Sequence, residues 1–200
     1  MSNIIAILRQ DLLRTYESAQ GGVLWRVLSS ALAPGVHAVI VLRFGQALFL
    51  CPRLLRIFLE PIYILASIMV RVMWGIELPR SATIGPGLYI GHFGGITISP
   101  GARIGKNCNI SQQVTIGVSG KDGNRGVPVI GDNVYIAPGA RLFGKISIGN
   151  NCKIGANAVV YKSIPDNAIV VLDPGFKIIS YSGNREQDDV SRSSDSTRLT

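Results

Sequence analysis

Aliphatic residues recur every six positions through the middle of the chain. The slots are filled by Ile84 and Ile90, then Ile98, Ile104, Ile110 and Ile116, and then Ile130, Ile136, Leu142, Ile148, Ile154 and Val160. Two shifts of register interrupt them, one next to His92 and one across residues 117–129. A six-residue unit is too short for a helical solenoid, whereas stacked short parallel strands bury one inward residue per unit. The pattern therefore predicts a mainly β fold, a parallel β-helix.

A second inward position follows four places after most of the aliphatic slots. It is filled by Ala102, Cys108, Val114, Val134, Ala140, Ile146, Cys152 and Ala158. Two of the three cysteines fall in this position, so we assign them to packing rather than to redox chemistry. The cysteine spacing fits no metal site, and an odd count without a leader sequence favours a reducing cytoplasm.

The first third of the chain has a helical pattern. An amphipathic helix is predicted over residues 3–20, and Gly and Pro pairs then separate predicted helices near 23–33, 36–50 and 53–74. We therefore expect an α-helical N-terminal domain over 1–76 and a β-helix domain over 77–183, with a protruding loop at 117–129. The Ser/Asp/Arg-rich tail, 184–200, is expected to be disordered.

The stretch from Ile57 to Trp74 is apolar enough to raise the question of a membrane span. Glu60-Pro61 and Arg71 interrupt it, and the run from Ile62 to Ala66 is too short to cross a bilayer. We expect this segment to pack against other helices or to make peripheral contact with the inner face of the membrane.

The formal charge of +8 changes this picture little. The basic residues are scattered and lack the interleaved aromatic residues of single-strand binders, which disfavours a nucleic-acid partner. An anionic partner fits the charge, either the phosphates of a nucleotide cofactor or a membrane surface.

Only two histidines can supply a base of near-neutral pKa, His37 and His92. His37 lies in an apolar predicted helix, where a packed structural role is expected. His92 lies in the glycine-rich break of the hexad register, where the chain must bulge and expose a side chain. His92 is therefore the candidate general base, and the alternative is a turn histidine held by backbone hydrogen bonds.

Four segments stand out beside the hexad. They are Pro34-Gly35-Val36-His37-Ala38 with Arg43, Gly75-Ile76-Glu77-Leu78-Pro79 leading into Ser81-Ala82-Thr83-Ile84-Gly85, Gly91-His92-Phe93-Gly94-Gly95, and Gln112-Gln113-Val114-Thr115-Ile116-Gly117. In the hexad and these segments the chain resembles the hexapeptide-repeat acyltransferases, and among them the serine O-acetyltransferases and the related bacterial polysaccharide (colanic-acid-type) O-acetyltransferases. The resemblance implies a left-handed β-helix of about four coils, a homotrimer with sites between subunits, and acetyl-CoA as acetyl donor, with no metal.

The resemblance also implies roles for individual residues. His92 would be the catalytic base and Glu77 its partner, where the serine enzymes more often have Asp; an ordinary surface Glu is the alternative. Arg125, in a loop that closes over the site, and Gln112 would contact the acceptor. The remaining positions would hold the pantetheine arm and the phosphates of the cofactor, unless they are ordinary turn and surface residues: Gly117, Ala137, Ala156, Lys162 and Lys177.

The acceptor is the open point. The serine enzymes carry an Arg-His pair in the protruding loop, whereas Arg125 is followed here by Gly126. We therefore expect a saccharide hydroxyl in surface polysaccharide synthesis, with free L-serine as the alternative. A non-catalytic scaffold is a further alternative. A zinc hydratase of the same fold needs three histidines, and a β-helix that bears one cannot supply them.

Overall fold

A computed structural model describes residues 4–120 and 125–172. Four helices come first: α1 (Ile4–Ser18), α2 (Val23–Leu32), α3 (Pro34–Leu48) and α4 (Arg53–Trp74). Their bounds agree with the sequence prediction to within about two residues, because glycine and proline mark each break. Gly75 ends α4 in the left-handed conformation, with a φ of 61°. Lys177 and the tail lie outside the described residues.

Fourteen short strands follow in the described part of the chain. They are β1 (Ile76–Glu77), β2 (Thr83–Ile84), β3 (Tyr89–Ile90), β4 (Ile96–Ile98), β5 (Arg103–Ile104), β6 (Asn109–Ile110), β7 (Thr115–Gly117), β8 (Val129–Ile130), β9 (Tyr135–Ile136), β10 (Arg141–Phe143), β11 (Ser147–Ile148), β12 (Lys153–Ile154), β13 (Val159–Val160) and β14 (Ile169–Val170). All pairings between them are parallel.

The strands form three sheets, one on each side of a prism. Sheet 1 has the order β1-β4-β7-β10-β13, sheet 2 the order β11-β8-β5-β2, and sheet 3 the order β14-β12-β9-β6-β3. A bridge between Ile148 and Ile164 adds a further rung to sheet 2. The chain therefore completes five coils rather than the four predicted, because Ile76 opens a coil before the hexad begins and Ile164 lies only four residues after Val160.

The predicted hexad residues form the core. Every one of the twelve aliphatic slots is buried, and Ile116, Ile136, Leu142 and Ile154 are fully inaccessible to solvent. Cys108 and Cys152 are buried with them, as predicted. Burial raises the pKa of the Cys108 thiol, which disfavours the reactive thiolate.

Asparagines at one corner of the prism turn the chain. Asn107, Asn133, Asn151 and Asn167 all adopt a positive φ, between 54° and 63°. Asn tolerates this conformation better than most residues because its short polar side chain can form a local hydrogen bond. The Nδ2 of Asn133 donates to Asn151 at 3.1 Å, and the Nδ2 of Asn151 donates to Asn167 at 3.0 Å. The corner is thus a ladder of side-chain amides.

A buried ion pair joins the helices to the first coil. The Nε of Arg43 lies 2.9 Å from the Oδ2 of Asp11, and both side chains are 1% exposed. Arg43 also donates to the carbonyls of Ile84 and Gly85, and Asp11 accepts from the backbone N–H of Leu88. Buried charges are stable only when every partner is present. This junction therefore fixes α1 and α3 on the open end of the β-helix.

Helix α4 is arranged differently. Only Tyr63 and Val70 of its 22 residues are buried. The helix continues through Glu60-Pro61, as predicted for residues 53–74, so these residues interrupt the apolar run but not the helix. Within the described residues, α4 by itself is both long enough and apolar enough to cross a membrane. The helices α2 and α3 reach the required length and hydropathy only when taken together, and they are bent by 63° relative to each other.

Candidate functional site

His92 lies at the edge where sheet 3 passes into sheet 1, in the bulge between β3 and β4. Gly94 and Gly95 adopt left-handed conformations there, with φ values of 101° and 68°. Residues with a Cβ rarely adopt such backbone angles, so glycine makes the bulge possible. The His92 ring is exposed. It has no hydrogen-bond partner among the residues that the structure describes, so it is available to a ligand.

A line of three aromatic rings supports this bulge. Phe93 packs edge-on against Trp74 with ring centroids 5.5 Å apart, and Trp74 lies 5.9 Å from the ring of His37. The Nε2 of His37 is 2.9 Å from the carbonyl oxygen of Ala31. His37 thus packs between helices, as expected, and the helical segment positions the His92 bulge. The roles of Trp74 and Phe93 were not predicted from the sequence, although their places beside Gly75 and His92 could have indicated them.

Three other predicted residues lie on the same edge as His92, one coil apart from each other. Gln112 follows β6, Ala137 follows β9 and Ala156 follows β12, and each of these strands belongs to sheet 3. Backbone bonds connect the successive turns: the N–H of Gln113 donates to Gly94 at 2.7 Å, and that of Gly139 donates to Gln112 at 3.0 Å. We call this line of turns the His92 edge.

The side chain of Gln112 has an unused acceptor. Its Oε1 is buried and has no hydrogen-bond partner within the described residues. A buried polar atom without a partner costs free energy, commonly about 1–3 kcal/mol, so such atoms are often found where a ligand supplies the missing bond. Ala137 is buried and Ala156 is exposed. Their small side chains let a ligand approach the turns closely.

Gly117, Arg125 and Lys162 lie on a different edge, where sheet 1 passes into sheet 2. Two backbone hydrogen bonds between Ser119 and Gly126, of 3.1 and 2.9 Å, close the base of the loop that follows Gly117. Arg125 is exposed beside this bridge. Lys162 lines a cavity of about 210 Å³ at the last coil. We call this line the loop edge, and sheet 1 separates it from the His92 edge.

Glu77 is directed outward from β1 and lies opposite Thr97 in the register of sheet 1. Its Oε1 is 3.8 Å from the Nη1 of Arg71, and both side chains are about half exposed. The two residues line a cavity of about 180 Å³ between α4 and the β-helix. In the single chain Glu77 therefore pairs with Arg71 and makes no hydrogen bond to His92, unlike the dyad that the sequence suggested.

A three-sided parallel β-helix with a six-residue repeat defines the hexapeptide-repeat class of proteins. Residues 128–162 match the family described as bacterial transferase hexapeptide (six repeats). The serine acetyltransferase of Staphylococcus xylosus is 44% identical over 126 residues, which is 62% of this chain and 58% of the relative. That of Mycobacterium tuberculosis is 39% identical over 142 residues, which is 71% of this chain and 59% of the relative.

Solved structures show the same relationship. The serine acetyltransferase of Neisseria gonorrhoeae has a TM-score of 0.71 at 28% identity and covers 94% of this chain and 69% of its own. Serine acetyltransferase isoform 3 of Entamoeba histolytica, in complex with cysteine, has a TM-score of 0.69 at 26% identity. The match covers 95% of this chain and 64% of that protein's chain. The neighbours imply that the β-helix is left-handed. The chain carries the hexapeptide repeat and is homologous to serine acetyltransferases, and it spans about three-fifths of the length of the curated relatives.

Proposed function

We propose that the chain is an acetyl-CoA-dependent O-acetyltransferase and that its acceptor is L-serine. The observation that carries the proposal is the exposed His92 on a glycine bulge of a β-helix homologous to serine acetyltransferases. This choice reverses the preference drawn from the sequence, which placed a saccharide acceptor before L-serine. The relatives favour serine, and none of the findings supports the polysaccharide branch.

In the proposed reaction His92 acts as general base. It takes the proton from the serine hydroxyl while the oxygen attacks the thioester carbonyl of acetyl-CoA. Backbone N–H groups stabilise the tetrahedral oxyanion, which collapses to O-acetylserine and the thiolate of CoA. The imidazolium then returns its proton to that thiolate. No acetylated enzyme is needed, and the buried Cys108 and Cys152 are unsuited to carry one.

The residues of the His92 edge suit the donor and the acceptor. The free Oε1 of Gln112 can accept a bond from the substrate ammonium or from a pantetheine amide. Ala137 and Ala156 leave the turns open to the pantetheine arm. Lys162 and Lys177 would supply point charges for the phosphates of CoA.

The placement of the two edges supports a site that two copies build. Gly117, Arg125 and Lys162 lie across sheet 1 from His92 in the same chain. We propose a homotrimer in which the loop edge of one copy faces the His92 edge of the next. The long ion pair between Glu77 and Arg71 is exposed and therefore weak, so Glu77 can turn to the His92 imidazolium when substrate binds.

The acceptor is tested by measuring thiol release from acetyl-CoA. The purified chain is given L-serine, then D-serine and L-alanine as controls for stereochemistry and for the hydroxyl, and then activated sugars and oligosaccharides. Rapid release with L-serine alone is expected. A saccharide hydroxyl is the second candidate, because Gly126 follows Arg125 where the serine enzymes carry a loop histidine. Release with a saccharide and none with L-serine would refute the serine proposal.

The shared site is tested by mixing two defective variants. Trimers of His92→Ala alone or of Arg125→Ala alone should lose most activity. If each site takes His92 from one copy and Arg125 from the next, random mixed trimers hold intact sites in about a quarter of positions and recover about that share of wild-type activity. Mixed trimers that stay as inactive as their parents would show that both residues must belong to one chain.

A further inference from the structure

The outward face of α4 is apolar along its whole length. Phe58 is 74% exposed and Val72 is 77% exposed. They belong to a stripe of large apolar side chains at helical spacing, all pointing away from the protein: Leu54, Phe58, Ile62, Leu65, Met69 and Val72. A surface helix ordinarily turns such a stripe to the core. We call it the outer stripe of α4.

The outer stripe extends beyond the helix. Phe49 and Leu50, in the turn that leads into α4, are also exposed by half or more. A helix of 22 residues is about 33 Å long. Scattered exposed apolar residues are normal, but a continuous strip of this length marks a surface that is covered by another partner. The helix α2 also has no buried residue, and Leu24 and Trp25 stand out from it.

Three of the four charged side chains of α4 are positive. Arg53 and Arg56 lie in the first turn of α4 and Arg71 in the last. The carboxylate of α4, Glu60, is already paired with both Arg80 and Arg56. Residues 1–80 hold eight arginines against four carboxylates. A shallow cavity of about 360 Å³, lined by Arg53, Arg56, Ile57 and Glu60, adjoins the stripe.

This distribution of charge selects between two coverings. If α4 of a second copy lay along the stripe in antiparallel fashion, the end of each helix that carries Arg53 and Arg56 would come beside the Arg71 end of the other. In a parallel arrangement the equivalent ends of the two helices would lie side by side. Both arrangements place like charges together, which opposes association. Anionic lipid headgroups complement the same arginines, and the acyl region beneath them accepts the stripe.

The packing of α4 also selects how it would meet a bilayer. Tyr63 and Val70 are buried on its inner side, where the helix contacts α3 and the β-helix. Gly75 connects it directly to β1. A helix that crosses a bilayer would have to leave these contacts and carry Glu60 and Arg71 into the hydrocarbon. A helix that lies in the interface keeps all of them.

We propose that the outer stripe of α4 docks on the surface of an anionic lipid bilayer, with the helix in the plane of the interface. The arginines at its two ends meet the headgroups, and the apolar side chains enter the outer acyl region. This proposal is independent of the acetyl acceptor.

Flotation of the full chain with lipid vesicles tests the proposal. Binding should be at least about tenfold stronger to vesicles that contain phosphatidylglycerol than to phosphatidylcholine alone, and it should weaken with salt. The triple variant Leu54→Gln/Phe58→Gln/Leu65→Gln should not float. The double variant Ile169→Gln/Val171→Gln, with equally exposed apolar residues on the β-helix, should float like wild type.

A second pair of variants tests the contribution of the arginines to vesicle binding without changing the apolar side chains. Arg53→Glu leaves the outer stripe intact and should weaken binding to anionic vesicles about tenfold, whereas Arg103→Glu, an exposed arginine of the β-helix, should not. Alkaline carbonate should release bound protein. Equal flotation of wild type and the triple variant would overturn the proposal, and so would retention in carbonate. A triple variant of smaller oligomeric mass than wild type would show that a second copy covers the stripe instead.

Discussion

The β-helix and the helical segment place their apolar residues on opposite sides. In the β-helix the hexad side chains face inward, and Leu142 at their centre is inaccessible to solvent. In α4 the residues at helical spacing face outward, and Leu65 is 61% exposed. The β-helix therefore buries its apolar side chains within one chain, whereas α4 buries only the side chains on the face that contacts α3. A regular pattern identifies the element, but it does not say what covers the apolar face.

The same substitution made in both regions should show this difference most strongly. Leu142→Ala removes a buried side chain and leaves a cavity, and should lower the free energy of unfolding by about 3 kcal/mol or more. Leu65→Ala should change it by less than about 0.5 kcal/mol in water, since little area is buried there. Urea unfolding of both variants measures the two values. Equal losses would mean that the outer face of α4 is buried in solution.

The junction between the regions comes next in size. Asp11→Asn leaves Arg43 buried with its charge uncompensated and should destabilise the chain by about 3 kcal/mol. The matched control is Glu17→Gln, an exposed carboxylate on the same helix, for which little change is expected. Thermal unfolding followed by circular dichroism compares them. If both variants melt together with the wild type, the helices are not fixed to the β-helix by this pair.

The asparagine corner should give a smaller effect. Asn151→Ala forces an alanine into a φ of 56° and breaks two rungs of the amide ladder. The expected loss is about 1–2 kcal/mol. Asn151→Gly loses the same bonds without the strain, so it should be the milder variant. An alanine variant as stable as the glycine variant would show that the left-handed conformation carries no cost here.

The sequence predicted the repetitive parts of the structure well, for a physical reason. One aliphatic residue per side of a coil is a local rule, so the six-residue spacing from Ile98 to Ile116 is enough to predict that these residues are buried. The helix breaks are local too, since Gly21-Gly22 and Pro34 act on their own backbone. The fifth coil was missed because Ile164 follows Val160 by four residues and breaks the hexad.

Other features depend on contacts between distant residues. Asp11 meets Leu88 across 77 positions, and no periodicity connects them. The ring contact of Trp74 with Phe93 forms only when α4 folds back beside the His92 bulge. The sequence grouped Arg125 and His92 into one site, whereas strand order places them on different edges. Residue types therefore predicted the candidate chemistry, and the coil geometry determined which of these residues one chain can bring together.

The two histidines, one in each region, provide the most direct test of the proposed chemistry. His92→Ala and His37→Gln are compared in acetyl transfer from acetyl-CoA to L-serine, with acetyl-CoA binding measured beside the rate. His92→Ala should lower kcat by about a hundredfold or more, because a positioned base contributes that much, and it should still bind acetyl-CoA. His37→Gln keeps a donor for the carbonyl of Ala31 and should stay within about threefold of wild type. Equal activity of His92→Ala and wild type would show that His92 is not the general base.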